Sequence, residues 1–119
     1  MVISFSVKEA RDQLLNKGFV YTFRWTRRAF FERNKGSIEY TWANEKRGKK
    51  KIADVIISEI GNYSCDNELS PFTSESGFKN TWDWQVKILE QANPHGNIDG
   101  WLYGVTVYTQ VRKDDKPSD

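Results

Sequence analysis

Thr22 and Arg24 sit on alternate positions of Phe19–Trp25, a segment with the period of a strand, so they share one face. A guanidinium is the natural bidentate partner of a phosphate or carboxylate, and a hydroxyl two residues away points the same way. The pair can form a small anion or base site, although an exposed sheet face accounts for the same pattern. Arg27 and Arg28 follow closely, and further on comes the run Lys46-Arg47-Gly48-Lys49-Lys50-Lys51. Trp25 and Trp42 flank this basic stretch. Aromatic rings beside cations are how single-stranded nucleic acids are held, by base stacking plus backbone neutralisation. Arg24, Arg27, Arg28 and the turn from Lys46 through Arg47, Lys49 and Lys50 to Lys51 are therefore expected to neutralise phosphates. Thr22, Arg24, Trp25 and Trp42 are expected to line a cleft for a base or nucleotide. The bland alternatives stay open: the lysines form a solvated hairpin tip, and the two tryptophans close the ends of a small core.

The charge distribution supports a polyanionic partner. Lys17 to Lys51 holds 11 basic residues and three acidic ones, a local charge of +8. The rest of the chain carries −6, so the net charge of +2 conceals a strong dipole. A concentrated basic region attracts phosphate chains. Other chemistries find little to work with. Cys65 and His95 are the only residues of their kinds, which excludes an internal disulfide framework and leaves no recognisable zinc spacing. No P-loop pattern and no strand followed by G-x-G-x-x-G occurs. Cys65 reads as a loop thiol and His95 as a turn residue. No metal and no cofactor are expected. The absence of a long apolar run argues against a membrane partner, and the single Cys and the lack of a signal-like start suggest a cytoplasmic protein.

The elements that must position these residues follow from period and punctuation. Ser6 and Glu9 have the spacing of a capping box, with Val7 at the first helical position. Val7, Ala10, Leu14 and Leu15 make an amphipathic stripe that Gly18 ends. Phe19–Trp25 is a strand with Phe19, Tyr21, Phe23 and Trp25 on one face. Thr26–Gly36 reads as a loop, and Ser37–Trp42 as a short strand. Lys51–Ile60 is a β-branched strand closed by Gly61 and Asn62. A connection with one helical turn near Leu69 and Phe72 leads to a helix capped by Asn80 or Thr81. Its stripe of Trp82, Val86 and Leu89 is expected to face the core, with Trp84 off it. Trp101–Val111 is the last strand, with a bulge or bend at Gly104. Residues 1–111 are expected to form one domain and 112–119 a flexible tail.

The stretch Leu14-Leu15-Asn16-Lys17-Gly18-Phe19-Val20-Tyr21-Thr22-Phe23-Arg24 resembles the opening of ASCH domains, a short helix followed by a G-x-K-x-x-[ET]-x-R motif entering the first strand. Lys51–Val55 resembles the central strand of that family, Ser76-Gly77-Phe78 before Trp82–Leu89 its Glu-Gly-Phe segment and helix, and Trp101–Tyr108 its closing strand. The resemblance implies an α+β fold: a small PUA-like β-barrel (pseudobarrel) with two flanking α-helices, in a group associated with RNA and modified nucleotides. In amidohydrolase members a motif Lys, a Thr and a Glu carry catalysis. Thr22 and Arg24 match the motif, whereas the Lys position falls on Phe19 and the Glu position on Ser76. A phenyl ring transfers no proton, so that mechanism is not expected, leaving only other chemistry through Lys17, Tyr21 or Glu75. The expected function is a nucleic-acid-binding module, RNA before DNA. The alternatives are a small ASCH-type hydrolase (nucleoside amidohydrolase or ribonuclease) and a protein-interaction adaptor.

Overall fold

Alternation of side chains in the strands decides which face of the sheet is filled. In the computed structural model, which describes residues 2–46, 50–93 and 96–110, the chain order is β1 (Ile3–Ser4), α1 (Lys8–Lys17), β2 (Phe19–Arg24), α2 (Ala29–Arg33), β3 (Ile38–Asn44), β4 (Lys51–Ser64), a 3₁₀ helix (Asn67–Glu75), α3 (Thr81–Leu89) and β5 (Asp99–Gln110). The fold is α+β. One five-stranded sheet, ordered β1-β3-β4-β5-β2, curls into a half-barrel. All neighbours are antiparallel except β1 and β3, which pair in parallel through Ile3–Ala43 and Ser4–Asn44.

The inner face of the curl is built from Val20 on β2, Ala53, Val55 and Ile57 on β4, and Tyr103 and Val105 on β5, all fully buried. On β4 they alternate with half-exposed neighbours, the period-two pattern of a strand with one buried side, whereas on β5 Leu102 to Val105 are all buried. Ala10 and Leu14 of α1 and Phe31 of α2 fill the hollow of the sheet. Each large side chain buried there contributes about 1.5–3 kcal/mol. A second apolar cluster lies on the other side of β2 and β5, where Phe23, Trp25 and Leu102 pack against Leu69, Trp84 and Ile88. The end of β2 is therefore covered on both faces.

Several expectations are corrected. α1 begins at Lys8, and its N-cap is Val7 with no side-chain cap bond, so the Ser6–Glu9 capping box does not form. Gly18 does end the helix in the left-handed conformation, its N–H donating to the Leu14 carbonyl. Thr26–Gly36 is not all loop, because Phe31 drops fully buried into the core and α2 forms around it. β4 runs through Gly61 to Ser64 with a register shift between Glu59 and Gly61, so the glycine marks an irregularity and not the end. Gly104 is in register with both neighbours; a Cβ there would come within 3.1 Å of the Phe19 ring, so its smallness admits that ring. α3 is turned relative to the expected stripe. Trp84 and Ile88 face the second cluster, while Trp82 is 71% exposed and Leu89 is also outside. Asn80 caps this helix, its side chain accepting from the Asp83 N–H.

His95, Arg47, Lys49 and the 112–119 tail lie outside the described residues. Among the described residues, no helix is long and apolar enough to cross a membrane, and no three His, Cys, Asp or Glu side chains gather as metal ligands.

Candidate nucleotide cleft

β1 and β2 are the two edges of the curled sheet, and they do not pair with each other. An open cleft of about 860 Å³ occupies this seam, bounded by residues 2–7, the end of β2 with the arginines after it, and α3. Strand alternation turns Thr22 and Arg24 toward it, on the same side of β2 as Val20. The Arg24 Nε donates to Thr22 Oγ1 at 3.1 Å, and its Nη2 donates to the Ser4 carbonyl at 3.0 Å. One guanidinium thus bridges the two unpaired edges, and it also lies 5.3 Å from the centre of the Phe5 ring. The seam is closed there by a side chain instead of a backbone ladder.

The electrostatics of the cleft are one-sided. Arg24, Arg27, Arg28 and Lys87 line it, and among the described residues no Asp or Glu does. The four cations are not equivalent. Arg27 is held by Glu59 through two bonds of 2.8 and 2.7 Å and lies 4.5 Å from the Trp101 ring centre. The bonds to Glu59 raise its pKa further. Arg28 makes the same two-pronged bond to Glu39 at 2.8 and 2.9 Å, with both side chains nearly buried. Its backbone N–H donates to the Tyr103 hydroxyl at 2.7 Å. Lys87 lies 3.3 Å from Glu90. Arg24 has no carboxylate within 4.0 Å among the described residues. Burial first, and the nearby Arg28 charge second, push its pKa down to about 10. It remains charged at neutral pH, as a partly buried cation without a counterion, which is the state an incoming anion relieves.

The apolar wall is aromatic. Phe5, Trp25 and Trp84 line the cleft. Trp25 is 7% exposed and its indole N–H donates to the Ile88 carbonyl at 3.3 Å, tying β2 to α3. It is a wall of the site and not a free stacking surface.

The expected site residues thus divide. Thr22, Arg24, Trp25, Arg27 and Arg28 come together at the seam. Trp42, Lys46 and Lys50 do not line it; Trp42 points outward from β3 and is 45% exposed. Phe19 and Ser76, at the catalytic positions of the amidohydrolase pattern, are not in the cleft either. The Phe19 ring packs edge-on against Tyr21, and Ser76 is fully buried, its hydroxyl donating to the Thr73 carbonyl. Nor do Lys17, Tyr21 or Glu75 line it. Sequence reasoning missed Ser4, Phe5, Trp84 and Lys87. Only the last two carried a local signal, a Trp and a Lys three residues apart on one helix. No family model, curated protein or solved structure matches the chain.

Proposed function

We propose that the chain is a nucleic-acid-binding module, RNA before DNA, on a PUA-like half-barrel whose seam receives one nucleotide. The observation that carries this reading is a cleft lined, among the described residues, by four cationic side chains and no carboxylate, with no described carboxylate within 4.0 Å of Arg24. Arg24 meets a phosphate or the edge of a base. Thr22 fixes the guanidinium and offers a hydroxyl beside it, and the buried rings of Phe5, Trp25 and Trp84 bound the cleft on its apolar side. Arg27 and Arg28 are already bound to glutamates, so they shape the rim and add a weaker field than their formal charges suggest. The absence of a lysine or carboxylate at the Phe19 and Ser76 positions favours binding over the amidohydrolase chemistry of the family that the sequence resembles.

The test is fluorescence anisotropy with labelled single- and double-stranded RNA and DNA at low and high salt. Tight binding to RNA with a steep fall in affinity as salt rises is expected. No binding to any of the four polymers at low salt overturns the reading.

A further inference from the structure

The outward face of β3, β4 and β5 carries a group of exposed aromatic rings that the cleft does not use. Tyr40, Trp42 and Tyr108 are 64%, 45% and 55% exposed, and the Tyr40 and Tyr108 rings meet edge to face at 6.1 Å. Ile56 pairs with Tyr40 across the ladder, so the two share this face. None of these residues lines the cleft. Soluble domains seldom leave aromatic rings grouped on an open sheet face without use.

Charge decides what covers it. The carboxylates that β3 and β4 carry nearby are turned inward, Glu39 onto Arg28 and Glu59 onto Arg27. Asp54 of β4, the ladder partner of Trp42, is bonded to Lys51 at 2.8 Å. That same Lys51 sits 5.7 Å from the Trp42 ring centre. Lys46 and Lys50 are exposed between β3 and β4 beside Glu45, and Arg33 and Lys35 are exposed before the start of β3 beside Glu32. The face is therefore aromatic in the middle, and among the described residues cations outnumber carboxylates at both ends: Arg33 and Lys35 against Glu32, and Lys46, Lys50 and Lys51 against Glu45 and Asp54.

The geometry points to a second contact surface, a stacking platform for single-stranded RNA centred on Tyr40, Trp42 and Tyr108. Tyr40 and Trp42 are two residues apart, about 7 Å along the strand. That separation lets two rings take a base between them, since each planar contact needs about 3.5 Å. Lysines at the ends neutralise the flanking phosphates, and stacking without edge contacts tolerates any base. The inference rests on the nucleic-acid reading above and extends it from one nucleotide in the seam to a strand on the sheet.

The probe is a labelled 12-nucleotide single-stranded RNA, with an RNA duplex of the same length beside it. Tyr40→Ala combined with Trp42→Ala is expected to weaken single-strand binding about ten- to a hundredfold. Trp42→Tyr, which keeps a ring, is expected to restore most of the loss that Trp42→Ala causes alone. Circular dichroism confirms that each variant is folded, which is expected because the rings are exposed. Quenching of tryptophan emission by the single strand should be smaller in Trp42→Phe than in the wild type. If the wild type binds no RNA, the platform and the cleft reading fall together. If Arg24→Met abolishes binding while the Tyr40/Trp42 double variant does not weaken it, the cleft stands and the platform is wrong. Preference for the duplex overturns the platform too, and so does a wild-type dimer that the double variant converts to monomers with unchanged affinity.

Discussion

Replacing Arg24 by Met tests whether this side chain is kept for the fold or for a ligand. The guanidinium spans the seam without a carboxylate partner among the described residues, and burial pushes its pKa down to about 10. At 1.36 kcal/mol per tenfold change in proton affinity, the charged form costs about 3 kcal/mol more in the folded chain than in water. The sign follows from linkage. The unfolded chain holds this proton up to a higher pH than the folded chain does, so the cost is fully present below pH 10 and is relieved only as pH rises above it. Met keeps the stem and removes the charge. It also removes the bonds to Thr22 and the Ser4 carbonyl, worth about 1 kcal/mol each, and both acceptors can be hydrated through the open cleft. The balance is a gain of about 1 kcal/mol at pH 7. For a domain of this size that is a rise in Tm of roughly 3–6 °C, read by calorimetry or by circular dichroism. A fall of more than about 5 °C would refute the reasoning, because Arg24 would then be a structural clamp across the sheet edges.

Two further outcomes follow from buried groups. Glu39→Ala leaves Arg28 nearly buried and deprived of its two-pronged partner; a loss of about 3–5 kcal/mol is expected in urea unfolding, and a loss under 1 kcal/mol would contradict the assigned geometry. Burial raises the Cys65 thiol from 9.0 to about 11 and the Tyr103 phenol from 10.0 to about 12. The folded chain then keeps protons that the unfolded chain releases, so stability falls as pH rises above 9, by about 1–2 kcal/mol at pH 10. Cys65→Ala should flatten most of that slope, and an unchanged slope would show that the thiol is not responsible.

How much of this was legible in the sequence depended on distance along the chain. Local signals were readable: the Gly18 stop, the alternation in β2 and β4, and the shared face of Thr22 and Arg24. β1 was not, because two residues, Ile3 and Ser4, carry no period, and their place is set only by pairing with Ala43 and Asn44. The partners of Arg27 and Arg28 were hidden for the same reason; Glu59 is 32 positions from Arg27, and nothing local marks either glutamate as turned inward. α3 misled because it has two apolar stripes. Trp82 with Val86 and Leu89 outweighs Trp84 with Ile88 by composition, yet the second cluster chose the latter. Trp42 was expected in the cleft with Thr22 and Arg24, but the curl of the sheet turns it to a separate surface, where Lys51 lies 5.7 Å from its ring centre.

The central claim is that Arg24 is held uncompensated in order to meet an anionic ligand. Its most direct test is RNA affinity of the wild type and of Arg24→Met, measured side by side by anisotropy at low salt. The account predicts a loss of about ten- to a hundredfold, the worth of a charge-assisted contact, in a variant at least as stable as the wild type. Equal affinity in the two proteins would contradict it.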